Sequence, residues 1–291
     1  MIYNFCATIK LIMLNKFATI FITLLATITL AGLIFKLNPP PKEVKGITSE
    51  TIGEITPTPE LIETIPSGKY YAPIINYHHI AYSWPQQSYY VSENTFDDQM
   101  NWLRENGYHV VSFDKFYNAA LGEDTLPEKP IAITFDDGNR DNYTNALPIL
   151  KKYDYPATFF IKLNNVGKGG LTWDEIREIK DAGNIIGSHS INHNNMAKMD
   201  EQTLINELTI SKNLIETNIN TEVKYFAYPG GAYSQKTIEA LKETGYLAAV
   251  TTKHKVYQDF TKEDSLYTIP RLHIDDEMPT FIDWVQGKNL I

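Results

Sequence analysis

The sequence predicts an α/β fold in which parallel strands and helices alternate around a barrel. From residue 70 onward, short apolar runs alternate with amphipathic stretches, which gives about seven or eight strand and helix units. The run Ile131-Ala-Ile-Thr-Phe135 is almost continuously apolar, as expected of a strand that is covered on both faces. Glycines fall near the ends of helical patterns at Gly107, Gly183 and Gly245, where a left-handed cap favours this residue.

The individual elements follow from the spacing of the apolar residues. Runs rich in β-branched and aromatic residues predict strands, and apolar residues three and four positions apart predict helices. The predicted strands are 72–76, 110–113, 131–135, 157–161, 185–188, 225–228, 248–251 and 267–269. The predicted helices are 96–106, 145–153, 173–182, 203–217 and 237–243.

The N-terminal region predicts a membrane anchor followed by a tether. Residues 17–35 contain no charged residue and are flanked by Lys16 and Lys36, and they are long enough to cross about 30 Å of hydrocarbon. The apolar run continues past a small-residue cleavage site at Ala31, which favours an uncleaved signal-anchor over secretion after cleavage. We therefore expect a cytoplasmic tip and transmembrane helix over 1–36, an extended Pro/Thr/Glu-rich linker over 37–69 and a folded domain over 70–291.

Charge and cysteine content narrow the class of partner and the compartment. The formal net charge of −9 comes without any basic cluster, which argues against nucleic acid as a partner and fits a neutral substrate. The one cysteine, Cys6, precedes the apolar segment, so no intramolecular disulfide can form. A cysteine-free exported domain is consistent with an extracytoplasmic bacterial protein.

Two short motifs supply the parts of a mononuclear metal site. Asp136-Asp137-Gly138 follows the predicted strand 131–135, and His189-Ser-Ile-Asn-His193 follows the predicted strand 185–188. One carboxylate and two imidazoles leave a coordination position open for water, as catalytic zinc requires, and the second carboxylate can act as a base. We interpret the two histidines, at i and i+4, as projecting from one side of a helical turn.

The position of these motifs in the predicted fold favours an active site over a chance occurrence of two common motifs. Taken singly, Asp-Asp-Gly is a common turn and a histidine pair is often surface decoration. Both motifs, however, lie at the ends of predicted strands, as do Pro229 and His273, and a barrel places its active site at that face. We therefore expect these residues to converge on one reaction.

Four motifs together resemble signatures of a known family. They are Thr134-Phe-Asp-Asp-Gly138, His189-Ser-x-x-His193, Phe226-Ala-Tyr-Pro-Gly-Gly231 and Pro270-Arg-Leu-His273. In this order they resemble the polysaccharide deacetylase family, the fourth carbohydrate esterase family, over about residues 70–274. The resemblance implies a distorted (β/α)₇ barrel.

The resemblance also implies roles for the site residues. Asp136 would be the catalytic base and His273 the general acid. Asp137, His189 and His193 would bind a divalent metal, usually Zn²⁺, although such a donor set also accepts Co²⁺ or Ni²⁺. The backbone around the segment Tyr228, Pro229 and Gly230 would help to stabilise the oxyanion, or would contact substrate.

The sequence departs from the family pattern near the site. Ala227 stands where many members carry an arginine that orients the catalytic aspartate, and we hypothesise that Arg271 reaches Asp136 instead. The alternative is that Arg271 pairs with a carboxylate elsewhere for structural reasons. Gly230 replaces a residue that is often aromatic, which would widen the cleft or weaken a stacking platform for sugar. His79 is a candidate for lining that cleft, and the alternative for at least one of His78 and His79 is a supporting position in the core.

Three functions compete at this point. The first is hydrolysis of N-acetyl groups on an extracytoplasmic polysaccharide that contains N-acetylglucosamine. The second is removal of O-acetyl groups, as from acetylated xylan, because the same attack by water serves esters. The third is a catalytically inactive carbohydrate-binding protein, against which the complete residue set speaks. The expected partners are an acetylated polysaccharide and the membrane, through the N-terminal helix; no nucleic acid or protein partner is expected.

Overall fold

The computed structural model describes residues 69–288, and its centre is a curled parallel β-sheet. The strands are β1 (Lys69–Tyr71), β2 (Ile74–Tyr77), β3 (His79–Ile80), β4 (Tyr90–Val91), β5 (His109–Val110), β6 (Pro130–Phe135), β7 (Ala157–Ile161), β8 (Ile185–Ser188), β9 (Tyr225–Ala227), β10 (Ala248–Val250), β11 (Tyr257–Asp259) and β12 (Leu272–His273). The α-helices are α1 (Glu93–Glu105), α2 (Phe113–Leu121), α3 (Leu147–Tyr153), α4 (Trp173–Asp181), α5 (Glu201–Ile219), α6 (Gln235–Glu243) and α7 (Met278–Val285).

The central sheet runs in the order β10-β9-β8-β7-β6-β2-β12, with β5 also paired to β6, and all of these pairs are parallel. The segment 269–273 contacts β10 at one edge of the sheet and β2 near the other edge. The Ile269 N–H donates to the Ala249 carbonyl at 3.1 Å, while His273 pairs with Asn76 in β2. The seventh strand position is therefore occupied by a split segment, one half against β10 and the other against β2.

Alternate residues of each strand enter two different apolar clusters. Ile75 and Tyr77 of β2 pack with the helices outside the sheet, whereas Ile74 faces an inner cluster. Phe113 and Phe116 of α2 join that inner cluster, and the Phe113 ring lies 4.7 Å from the ring of Tyr225, the first residue of β9. Because both strand faces are covered, the strands read as continuous apolar runs, as predicted.

Most predicted elements are present, and two predicted strands are present only in part. In the predicted strand 110–113, hydrogen bonding to β6 ends with the Val111 N–H, which donates to the Ile131 carbonyl at 2.9 Å, because Ser112 caps α2 by accepting the Lys115 N–H. In the predicted strand 267–269, residues 265–267 form a 3₁₀ turn, and Ile269 makes a single bridge to Val250. Helices α2 and α7 and the antiparallel pair of β1 with β11 were not predicted.

Three other sequence predictions concern glycines and the N-terminus. Gly107, Gly183 and Gly245 have φ of 71°, 89° and 78°, so the left-handed helix ends are confirmed. The predicted membrane span 17–35 and all of the predicted linker except Lys69 lie outside the described residues, and they stay predictions. Among the helices of residues 69–288, none has the length and apolar character needed to cross a membrane.

Candidate active site

The site begins at the turn that follows β6. Asp136 directly follows the strand, and its N–H donates to the Tyr77 carbonyl at 3.0 Å. Asp137 then adopts φ of 71°, a left-handed conformation that is uncommon for a residue other than glycine. The Asn165 side-chain amide holds this turn by donating to the Asp137 carbonyl at 2.9 Å. Such strained backbone clusters at functional sites.

Asp137, His189 and His193 come together as a possible metal site. Asp137 Oδ1 lies 3.9 Å from His189 Nε2 and 3.8 Å from His193 Nε2, and the three ligand atoms lie within 4.8 Å of one another. Asp137 Oδ1 is buried and has no hydrogen-bond partner within residues 69–288. A buried carboxylate oxygen without a partner needs an explanation, and a cation shared with two imidazoles supplies one. The residues therefore fit a divalent metal.

The Ala227 carbonyl fixes which ring nitrogen of His189 carries the proton. His189 is 1% exposed, and its Nδ1 lies 2.8 Å from the Ala227 carbonyl oxygen. Because a carbonyl can only accept a hydrogen bond, Nδ1 carries the proton, and Nε2, which lies 3.9 Å from Asp137 Oδ1, keeps its lone pair for a metal. Ala227, which stands where an arginine was expected, thus contributes through its backbone.

The two histidines do not lie on a helical turn, and this interpretation was wrong. Residues 189–193 form a loop in which Ser190 and His193 both have positive φ, at 62° and 60°. Glu207 of α5 holds this loop, since its carboxylate accepts the N–H groups of Ile191 and Asn192 at 2.8 and 3.2 Å. The Ser190 hydroxyl accepts the His193 N–H at 3.0 Å.

Asp136 lies at the centre of a buried polar network. The Arg271 guanidinium donates to both carboxylate oxygens, at 2.8 and 2.7 Å, and the Asn76 amide donates to Oδ2 at 3.1 Å. Arg271 also donates to the Thr251 carbonyl at 3.1 Å and to Thr134 Oγ1 at 3.2 Å. Burial by itself would raise the pKa of Asp136, but the charge of Arg271 holds it well below its usual range.

Among residues 69–288, the segment after β9 has one backbone N–H without a backbone acceptor. The Tyr228 N–H donates to Val250, the Gly231 N–H donates to Tyr228, and Pro229 has no N–H. This leaves the N–H of Gly230, at φ 59°, as the candidate oxyanion donor of this segment. The Tyr228 ring is buried and its hydroxyl donates to the Tyr267 carbonyl, so this side chain contributes to the core rather than to substrate contacts.

A cavity of about 550 Å³ joins these groups. Its lining consists of Asp136, Asp137, His189, His193, Gly230, Thr252, His273 and residues 78–79 and 87–90. His273 Nε2 lies 2.8 Å from the Ser88 carbonyl, to which it donates, and burial lowers the pKa of this imidazole. His78 packs 5.2 Å from His273, and burial lowers its pKa to about 4.

Two supporting residues escaped the sequence analysis. Asn76 is a polar residue in the apolar run that begins at Pro73, and this interruption could have identified it as a supporting residue. Glu207 is 5% exposed, and a carboxylate on the apolar face of α5 could have identified it in the same way. Buried polar side chains of this kind need partners, and here the partners belong to the site.

Comparisons with known proteins identify the family of the chain. The family model "Polysaccharide deacetylase" matches residues 123–249. Bacillus subtilis (strain 168) has a relative, YxkH, whose name places it with the polysaccharide deacetylases; it is 33% identical over 208 residues, which span 71% of this chain and 72% of the relative. The chain belongs to the polysaccharide deacetylase family.

Two further relatives of this polysaccharide deacetylase have more specific names. A poly-β-1,6-N-acetyl-D-glucosamine N-deacetylase of Staphylococcus aureus (strain MRSA252) is 28% identical over 66% of this chain and 70% of its own length. The Streptococcus pyogenes deacetylase PplD, solved in complex with acetate, superposes with a TM-score of 0.67 at 27% identity, over 72% of this chain and 96% of PplD. The curled parallel sheet with outer helices is thus the fold of this family.

Proposed function

We propose that this polysaccharide deacetylase hydrolyses N-acetyl groups on an extracytoplasmic polysaccharide that contains N-acetylglucosamine, releasing acetate. The observation that carries the proposal is an ionised Asp136 held beside the Asp137, His189 and His193 cluster at one cavity. The name of the Staphylococcus aureus relative supports an amide substrate on glucosamine. A neutral polymer also suits a chain whose net charge is −9 without a basic cluster.

Asp137, His189 and His193 would hold the metal, with Zn²⁺ as the first candidate and Co²⁺ or Ni²⁺ as alternatives. When bound, the cation polarises the acetyl carbonyl and lowers the pKa of the attacking water. The tautomer of His189 prepares the chain for this role, because its Nδ1 proton is held by the Ala227 carbonyl.

The remaining steps belong to the chain's own side chains. Asp136 accepts a proton from the attacking water, and Arg271 keeps it ionised and oriented for that purpose. The Gly230 N–H donates to the oxyanion of the tetrahedral intermediate. His273 delivers a proton to the departing amine through Nδ1, because its Nε2 is engaged by the Ser88 carbonyl. Burial lowers the pKa of His273, so the neutral imidazole takes up this proton from solvent during the cycle, and Asp136 releases the proton that it accepted to solvent.

The proposed location follows from the sequence. Residues 17–35 anchor the chain in the membrane, and the linker carries the catalytic domain of about residues 70–291 away from the bilayer on the extracytoplasmic side. Cleavage after the apolar segment would release the same domain as a secreted enzyme.

Acetate release by the full-length chain tests the reaction. The substrates are N-acetylglucosamine oligomers and acetylated xylan, each with added Zn²⁺, and Asp136→Asn is the matched control because it keeps the volume but removes the base. Release from the oligomers that disappears in Asp136→Asn supports the N-deacetylase. Release from xylan alone would assign an O-acetyl esterase, and binding without release from either would assign an inactive carbohydrate-binding protein.

A further inference from the structure

The backbone around His78 and His79 is held by several side chains of one neighbouring segment. Four polar side chains from the segment that follows the Asp-Asp-Gly turn reach over to it. Asn139 and Asn142 both donate to the His78 carbonyl, Asp141 accepts the Ile80 N–H, and Asn145 donates to the Ile80 carbonyl, at distances of 2.8 to 3.1 Å. The two histidines are therefore tied directly to the turn that carries Asp136 and Asp137.

The local helix geometry serves these contacts. Residues 142–146 form one turn of π-helix ahead of α3, and such turns are frequent at functional sites. Asn142 is fully buried in this turn, and its amide bridges the His78 carbonyl and the Asp141 carboxylate. Two side chains of this turn, Asn142 and Asn145, donate to the carbonyls of His78 and Ile80.

His79 itself is clamped on two sides. Its Nδ1 lies 2.6 Å from Asp141 Oδ2, and its ring stacks on Tyr90 with centroids 4.2 Å apart and planes 4° from parallel. Because an ionised carboxylate only accepts, Nδ1 carries a proton, and Nε2 is the nitrogen left for another partner. The side chain is 27% exposed and lines the 550 Å³ cavity together with Asp136 and Asp137.

We infer that His79 Nε2 hydrogen-bonds a hydroxyl group of the sugar chain, and that Asp141 and Tyr90 are positioning residues for this contact. The inference rests on the proposed function, since it assigns a substrate contact at the same cavity. A hydroxyl group can both donate and accept, so it matches Nε2 in either hydrogen-bonding role, and the polar groups of a pyranose other than its acetamido group are mainly hydroxyls. The fixed ring loses little rotamer freedom on binding, which favours specificity over adaptability.

Two substitutions at His79 separate a substrate contact from a structural one. Glutamine places its terminal amide near the position of Nε2, whereas asparagine places its amide near Nδ1, where it can still bond Asp141. We expect His79→Asn to raise KM for N-acetylglucosamine oligomers about tenfold, as loss of one hydrogen bond predicts. We expect His79→Gln to raise KM about threefold or less, and kcat to change less than KM in both variants.

A purely structural role for His79 reverses this order, because asparagine preserves the Asp141 contact and glutamine does not. A KM for His79→Asn equal to that of the wild type, or lower than that of His79→Gln, would overturn the inference. His109→Asn is the matched control, since His109 is an exposed histidine in β5, at the opposite end of the sheet, and its ring lies 2.7 Å from the Glu128 carbonyl through Nδ1. Its KM should equal that of the wild type.

The positioning role of Asp141 has its own readout. Asp141→Asn retains an oxygen that accepts the Nδ1 proton, and Asp141→Ala does not. We expect the ¹⁵N spectrum of the His79 imidazole to show the Nδ1-protonated form in the wild type and in Asp141→Asn, and a mixture of tautomers in Asp141→Ala, with KM following the same order. An unchanged spectrum in Asp141→Ala would remove Asp141 from the inference. Wild-type protein that releases no acetate from any oligomer would contradict the proposed function instead, so the two failures are distinguishable.

Discussion

The Arg271 guanidinium binds the Asp136 carboxylate through two parallel hydrogen bonds of 2.8 and 2.7 Å, although the two residues are 135 positions apart. Both side chains are almost fully buried, so this pair is shielded from salt and water. Arg271 reaches the carboxylate because it lies in the segment 269–273, which joins the two ends of the curled sheet. In this geometry, Arg271 orients the Asp136 carboxylate and keeps it ionised.

Replacing Arg271 tests this relationship through pH. In Arg271→Met, the charge that depresses the pKa of Asp136 is gone and burial remains, so the pKa rises. Activity needs the ionised carboxylate, and the acidic limb of the pH profile of kcat/KM should therefore move to higher pH. Profiles of wild type and variant on the same oligomer measure the shift; an unmoved acidic limb would separate Arg271 from the function of Asp136.

The same substitution should lower stability. Removal of one partner from a buried ion pair leaves an uncompensated charge and typically costs about 3–5 kcal/mol. The depressed pKa of Asp136 means that the pair stabilises the fold above the pKa of the unfolded chain and that this contribution is lost as pH falls through the folded-state pKa. Denaturant unfolding at neutral pH measures the loss. The double variant Arg271→Met/Asp136→Asn should recover part of it, because no buried charge is left unpaired.

Bound metal tests the Asp137, His189 and His193 cluster independently of activity. His193→Ala removes a ligand whose side chain is 35% exposed, so the fold should persist while bound Zn²⁺ falls from one per chain to well below one after dialysis. In the wild type, Zn²⁺ at about a hundred times its Kd should stabilise the folded state by about 2.7 kcal/mol. Elemental analysis and thermal unfolding measure both effects. Full metal content in His193→Ala would exclude His193 as a ligand.

Glu207 should affect the metal without touching it. Its carboxylate holds the N–H groups of Ile191 and Asn192, and this loop carries His193. We expect Glu207→Ala to weaken Zn²⁺ affinity about 10–100-fold, as loss of a supporting contact does in other metal sites. Competition with a metal indicator measures the affinity. Glu201→Ala, in the exposed first turn of the same helix α5, is the control and should bind as the wild type does.

Two adjacent glycines should respond differently to alanine. A Cβ at Gly231 would overlap Thr252 Oγ1 and lie 2.8 Å from the Thr252 backbone nitrogen, whereas a Cβ at Gly230 meets nothing within 4 Å. Gly230→Ala should therefore cost only the left-handed conformation, about 1–2 kcal/mol. Gly231→Ala should destabilise more and also reduce kcat, because it shifts the segment that presents the Gly230 N–H. Equal losses of unfolding free energy in the two variants would contradict this account.

Elements that depend on residues adjacent in the chain were predicted correctly, whereas elements that depend on a single cap or on an unusual backbone conformation were not. The predicted strands 157–161 and 185–188 match β7 and β8 to the residue, because each is a buried run with clear polar flanks. Helix α2 was missed because its start depends on Ser112, a single cap inside an apolar stretch that resembles a strand. The geometry of the histidine motif was wrong because a spacing of four positions does not reveal the positive φ at Ser190 and His193.

By itself, the sequence determined the chemistry that is available: two carboxylates and two imidazoles at the ends of buried strands, with a third histidine at His273. Such information is local, because a strand and the side chain that follows it are adjacent in the chain. Tertiary structure alone decided which atoms meet. The orphaned oxygen of Asp137, the tautomer of His189 and the clamp of Asp141 on His79 all depend on contacts between distant segments, and no periodicity encodes the orientation of a hydrogen bond.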